Sequence, residues 1–325
     1  MDESKLPPSS PTPEQALLSN LRNWTDVFPW LRLVKVCRIA GGPVWIIHSI
    51  AALTVWWWGL WALNVDMEAF RDPGGNRLLV APSSMNLIGI VWTWLFALPH
   101  LMAFGRVGAL LTAGREIPSY LGTWKLVRRR IGGGALIMTL PLICSLPFVF
   151  TAWASAAIAG SMTSLQPVAD WLSMLIIVPS VILIGLLVAG GKVAVPLGLV
   201  SLMTDGKPDA MDSLSRGYEY ALRRLPQLVG YTLVAIAMTL PVLAGWALVF
   251  VTAWWAACLS GAGSDNLVTA LVMTGVAITT LLMSAMIGGV YLLLRRSAGG
   301  QEIADVWAEP EGWIAPKMPS VRKAL

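Results

Sequence analysis

Six long apolar runs set the plan of this chain. They cover residues 43–64, 85–105, 132–159, 170–190, 228–258 and 267–294. Each reaches or exceeds the ~20 residues that cross a hydrocarbon core of about 30 Å. A chain in lipid must satisfy its own backbone hydrogen bonds, so all six runs predict helices. The fold class that follows is all-α: a polytopic membrane protein with six transmembrane helices. Pro141 and Pro147 in the third run, and Pro241 in the fifth, each remove a backbone donor, and kinks are expected there.

Between and before these runs, three stretches alternate apolar and basic residues near helical spacing. Residues 16–38 carry Leu17, Leu21, Trp24, Phe28 and Leu31, interleaved with Arg22, Arg32, Lys35 and Arg38, and Pro29 divides them into two short pieces. Residues 117–130 place Ile117, Leu121, Trp124 and Val127 on one face, with Lys125, Arg128 and Arg129 elsewhere. Residues 209–225 place Met211, Leu214, Tyr218, Leu222 and Leu225 on one face. Asp209 fits an N-cap with Asp212 in the first turn, and Pro226 stops the helix. Such segments predict interfacial elbow helices lying in the headgroup plane.

Two of the elbows belong to a repeat. Thr112, Gly114 and Arg115 match Thr204, Gly206 and Lys207; Arg129-Arg130 match Arg223-Arg224. The string MTLP recurs at Met138–Pro141 and Met238–Pro241, and Thr-Ala-Trp at Thr151–Trp153 and Thr252–Trp254. The offset grows from 92 to 94, 100 and 101, so the second copy holds a few inserted residues. Spans two and four run one way and spans three and five run back. The repeat is therefore parallel, with units of about 85–159 and 170–258.

Composition agrees with lipid exposure: of 325 residues 56% are hydrophobic and 13% charged, about half the charge of a soluble domain. All but two of the 23 Lys and Arg residues fall in the N-terminal tail, the connections at 106–131 and 191–227, and the C-terminal tail. That asymmetry places both termini in the cytoplasm. The division expected is a disordered cytoplasmic tail at 1–15, an interfacial amphipathic segment at 16–42, the transmembrane domain at 43–294 and a cytoplasmic tail at 295–325. The N-terminal residues lack the basic and apolar regions of a cleaved signal peptide. The net charge of +5 reads as anchoring to an anionic cytoplasmic leaflet rather than to nucleic acid. The partners expected are membrane lipids, anionic phospholipid among them, and a second copy or another membrane protein. Cys144 and Cys258, within apolar runs, read as buried small hydrophobes.

Candidate chemistry is sparse. No nucleophile–base pair, metal-ligand spacing or nucleotide fingerprint is present, so no enzyme activity, cofactor or metal is expected. Gly132–Gly134 follow three arginines but lack the GK[ST] of a phosphate loop. The candidate lipid-contact residues are Trp124, Lys125, Arg128, Arg129, Arg130, Tyr218, Arg223 and Arg224, with rings at the headgroup level and bases toward phosphate. Polar-path candidates are His48, His100, Arg106 and Lys192, read otherwise as satisfied histidines and snorkelling bases. The stretch Val193–Met203 reads as a return into the bilayer. Thr280, Ser284 and Gly288 stand four apart, the spacing of tight helix packing inside the bundle. The function expected is non-catalytic: membrane organisation, lipid interaction or an accessory role in a membrane assembly. The alternative is a transporter or channel for a small solute.

The segments FPWLRLVKVCRIAGGPVWIIHSIAALTVWWWGLW, AFGRVGALLTAGREIPSYLGTWKLVRRR, DAMDSLSRGYEYALRRLPQLVGY and YLLLRRSAGGQEIADVW resemble a group of bacterial multi-pass membrane proteins of uncharacterised role. The third segment is also similar to elbows of the membrane domain associated with glycerophosphodiester phosphodiesterases. The resemblance implies six spans with duplicated elbow units in a bacterial cytoplasmic (inner) membrane. It implies no activity, since the acidic and histidine metal ligands of the phosphodiesterase domain have no counterpart here.

Overall fold

The structure, a computed structural model, describes residues 27–63, 87–161, 166–299, 302–303 and 305–307. The expected N-terminal tail, the first part of the 16–42 segment and most of the C-terminal tail lie outside them. All regular structure among the described residues is helical. A 3-10 segment, Pro29–Gly41, leads into α1 (Pro43–Ala62). There follow α2 (Leu87–Thr112), α3 (Tyr120–Ser161), α4 (Gln166–Thr204), the elbow α5 (Ala210–Arg223), α6 (Leu225–Leu259) and α7 (Asp265–Gly299). All but α5 are long and apolar enough to cross a membrane, which makes six spans. The protein is a multi-pass helical membrane protein.

Several spans overshoot the bilayer. At 1.5 Å per residue, the 39 residues of α4 reach about 58 Å, roughly twice a hydrocarbon core. The surplus lies at the end of the bundle where α1 begins, α2 and α4 finish and α5 packs. The core is concentrated there: Met102–Leu111 of α2, Leu126 to Ile137 of α3, Ala194–Met203 of α4 and Ile278–Leu294 of α7 supply most of its buried side chains. Toward the other end α3, α4 and α6 turn most of their surface outward. Only 6% of the most apolar stretch of α4 is buried, against 39% for α7. The molecule is thus a packed base from which apolar helices extend into lipid.

The seam of that base is the crossing of α2 and α7. Gly288 sits on the backbone of Gly105 and Ala109, and Gly108 on that of Ala285. A Cβ on either glycine would strike the opposing backbone, so only glycine permits this approach. The small-residue spacing at Ser284 and Gly288 is therefore internal packing.

Four local expectations change. The first elbow is not a separate helix: residues 120–130 continue into the third span as the single helix α3. The second elbow does separate. Arg224 leaves helical geometry (φ −118°, ψ 25°), and Pro226 stands in the first turn of α6, where its missing N–H costs nothing. The proline and the added residues of the second copy make that break. Second, α4 runs without interruption through Pro196 to Thr204, and Ala194 and Leu197–Thr204 are buried in protein rather than returned to lipid. Third, the segment after Pro29 buries Leu33, Val36 and Ile39, a three-residue period that fits the 3-10 helix it forms. It packs into the core, mainly against α7 and α2. Fourth, Cys144 and Cys258 are exposed on the lipid-facing surface, and only Cys37 is half-buried, its thiol near the Met238 carbonyl at 3.5 Å.

Candidate functional site at the basic end of the bundle

α4 ends on carbonyls that have no partner within the helix, as every helix does. Here two arginines from other helices supply the donors. Arg106 of α2 donates to the Met203 carbonyl at 2.6 Å, and Arg130 of α3 donates to the carbonyls of Leu202 and, at 2.9 Å, Asp205. Both are buried, 5% and 9% exposed. Their positive charge also opposes the negative end of the α4 dipole. The indole of Trp307 lies over both guanidiniums, 5.5 Å from Arg106 and 4.8 Å from Arg130, and its backbone N–H donates to the Thr204 carbonyl at 3.1 Å. Ile303 and Val306 are buried beside it, and Asp305 pairs with Arg295 at 3.8 Å. The segment around 302–307 therefore belongs to the packed base.

Elbow α5 is fixed to the same end. Asp209 accepts from the Met211 N–H at 2.9 Å and caps the helix as expected. Its buried face is Ser213, Leu214, Gly217, Tyr220 and Ala221, with Gly217 against the Ala194 backbone of α4. Met211, Leu222 and Leu225 of the expected apolar face stay exposed. Arg216 bridges Asp205 at 2.9 Å and Asp212 at 2.7 Å. Burial opposes the Arg216 charge, but the two carboxylates outweigh it and hold its pKa above the ordinary value. Burial pushes the Tyr220 phenol up to about 12, with the neighbouring Tyr291 phenol adding to the shift. Tyr218 folds over Gly190 and Gly191 and donates to the Leu187 carbonyl at 2.7 Å.

Two apolar grooves flank this junction. One, of about 310 Å³, lies between α2, α3 and α4 beside Leu101, Pro141, Val188 and Pro196. The other, of about 300 Å³, lies between α4, α6 and α7 beside Leu228, Ala235 and Met286. Lys192, exposed near the junction with α5, stands on the wall of both. It is about 39 Å along α4 from Gln166.

The other sequence candidates separate into two groups. Lys125, Arg128, Arg129 and Arg223 are exposed and Arg224 is half-buried, with Arg223 paired to Glu219 at 3.6 Å. Arg130 and Trp124 turn inward. Arg130 caps α4 instead of facing headgroups. Trp124 packs with His48, His100 and Tyr120, its ring 4.9 Å from that of His48. His48 and His100 stack at 5.2 Å, and Tyr120 lies 2.8 Å from His48 Nδ1. The sequence reading missed Trp307, Tyr120 and Asp205. The signal for Trp307 was an apolar pair, Ile303 and Val306, inside the segment expected as a cytoplasmic tail. Among the described residues no group of three or more His, Cys, Asp or Glu side chains is placed to hold a metal. No protein-family model, curated protein or solved structure matches the chain.

Proposed function

We propose that this protein is a non-catalytic membrane component that holds anionic phospholipid at the cytoplasmic leaflet, with both termini in the cytoplasm of a bacterial inner membrane. One observation carries the reading: Lys192, exposed toward the basic end of α4, separates two apolar grooves of similar size. A diacyl lipid needs that arrangement, one cation for the phosphate and two apolar channels for the chains. Exposed Lys125, Arg128 and Arg129 add long-range attraction for the same leaflet. A base near an anionic surface contributes about 1 kcal/mol, roughly fivefold in affinity. The test is native mass spectrometry of the full chain with phosphatidylglycerol and phosphatidylcholine. Wild type should retain phosphatidylglycerol preferentially, and Lys192→Gln should lower that retention about fivefold. Equal retention of both lipids by wild type, or no change in the variant, overturns the reading.

A second reading, passage of a small solute, rests on the cavity that His100 lines between α1, α2 and α7. Proteoliposome flux that is lost when Ala97, on the same cavity, becomes Leu would support it over lipid binding.

A further inference from the structure

α3 and α4 pack chiefly on each other, and both change character at the same level. α3 buries Arg130, Gly134, Ile137 and Pro141, but beyond Pro141 only Ser145 and Ala159. α4 is mostly buried from Gly191 to Thr204, but before Gly191 only Ala169, Ser173 and Ser180 are. Ala159, Ala169 and Ser173 line one small cavity between the two helices, so this outer arm is its own packing partner. At the level of the change the backbone of both helices is weakened. Pro141 and Pro196 lack an N–H, which gives the carbonyls of Ile137 and Lys192 no helical donor. Gly190 and Gly191 are adjacent in α4, and glycine favours a helix less than any residue but proline. Helices bend at such residues. The two glycines also admit close neighbours. A Cβ on Gly191 would come within 3.2 Å of Pro141 Cβ, and one on Gly190 within 3.0 Å of the Tyr218 ring. The Tyr218 hydroxyl donates to the Leu187 carbonyl at 2.7 Å. Tyr218 belongs to α5, which Gly217 and Arg216 fix to the base, so one side chain of the base grips α4 on the arm side of its glycines.

We propose that the α3–α4 hairpin is an arm hinged at Pro141 and Gly190–Gly191, that Tyr218 pins it, and that its position sets the width of the groove between α2, α3 and α4. That groove lies on the hinge. Trp94 and Leu101 form its fixed wall on α2, and Pro141, Gly191 and Lys192 form its moving wall. Tyr218 is a positioning residue: it holds the backbone that carries Lys192 and does not line the groove. The coupling to the groove rests on the phospholipid reading of Lys192, whereas the hinge rests on packing alone. A lipid that fits the groove better in the pinned arrangement must, by linkage, favour that arrangement.

Double electron–electron resonance measures the arm against the bundle. The full chain, its three cysteines replaced by alanine, is placed in phosphatidylcholine nanodiscs. Leu172→Cys on the arm and Val272→Cys on α7, both exposed positions, carry the labels, and Val91→Cys with Val272→Cys is the fixed reference. Tyr218→Phe keeps the ring on Gly190 and loses the bond to Leu187. It should move the ratio of pinned to released distances about fivefold, the worth of one hydrogen bond, and leave the reference pair unmoved. Added phosphatidylglycerol should return Tyr218→Phe toward the wild-type distribution, and Lys192→Gln in the same chain should cancel that return. An arm distance unchanged by Tyr218→Phe, or a reference pair that moves with the arm, overturns the hinge. Phosphatidylglycerol that native mass spectrometry shows retained through Lys192, yet that leaves the arm distance unchanged, overturns the coupling. Phosphatidylglycerol that is not retained overturns the phospholipid reading and the coupling with it, while the phosphatidylcholine distances still decide the hinge. Should Tyr218→Phe fail to fold, Gly191→Ala, whose methyl would press on Pro141 and the Tyr218 hydroxyl, must move the arm distance instead; an unmoved arm overturns the hinge.

Discussion

Arg106 and Arg130 show how far the environment of a base decides its role. Each stands near the end of an apolar run, where a base commonly snorkels toward phosphate. Here the nearest acceptors are the last carbonyls of α4, and burial under Trp307 keeps both guanidiniums on them. A lysine ammonium is a compact, strongly hydrated point charge and loses the planar stack that Arg130 makes under Trp307. Arg130→Lys is therefore expected to destabilise the fold by about 1.5–3 kcal/mol, the range for one hydrogen bond to a charged group. Thermal unfolding in detergent measures it, and Arg129→Lys, at an exposed position, should leave the midpoint unchanged. Lipid-retention experiments should spare Arg130, because its loss would uncap α4. Tyr220 gives a pH signature. Its pKa is about 12 in the fold, above the usual phenol value near 10. Its contribution to stability is full below pH 10 and is lost as pH rises through 12. Tyr220→Phe should resist alkaline unfolding better than wild type in that window, read by far-UV circular dichroism. Identical alkaline profiles would show that the phenol does not titrate against the fold.

At the scale of elements, hydrophobic length made six spans legible, because nothing but a helix tolerates lipid across that distance. Their true ends were not legible. Val193–Met203 is as apolar as a membrane segment, and only the packing of α2, α3 and α7 around it reveals a protein core. The only proline of the first elbow, Pro118, precedes Tyr120 where α3 begins, so none separates the elbow from the span; the second has Pro226 after its arginines and breaks. The 3-10 segment was written in the sequence as Leu33, Val36 and Ile39, but a period of three is seldom sought over such a length. The candidate site was half visible. Exposed bases follow from charge counting, whereas the inward turn of Trp124 depends on tertiary contacts with His48 and His100. The α2–α7 seam supplies the test at this scale. Gly108→Ala and Gly288→Ala should each cost about 1–3 kcal/mol through overpacking against backbone. Gly132→Ala meets nothing within 4 Å and should be neutral or slightly stabilising by helix propensity. Equal unfolding midpoints for all three would mean that the helices cross elsewhere.

Across the whole molecule, two independent distributions select the same end. The bases of the sequence gather at one set of connections, and the packed core gathers beneath them, with Arg106, Arg130, Arg216 and Arg295 within or upon it. The opposite end carries Ser260–Ser264 between α6 and α7, without Lys or Arg, below exposed indoles at Trp153, Trp171 and Trp255. Bases retained on the cytoplasmic side orient a helical membrane protein, and an even number of spans returns the chain to the side where it began. Both termini and α5 should therefore be cytoplasmic. Cys37, Cys144 and Cys258 are first replaced by alanine, and single cysteines are introduced as Gly74→Cys, Thr163→Cys, Lys207→Cys and Gly263→Cys. A membrane-impermeant maleimide should label 74, 163 and 263 on intact cells, and 207 only after lysis. Labelling of 207 with silence at 263 would invert the molecule. It would put the two grooves beside Lys192 in the outer leaflet, where a site for cytoplasmic-leaflet phospholipid has no substrate to hold.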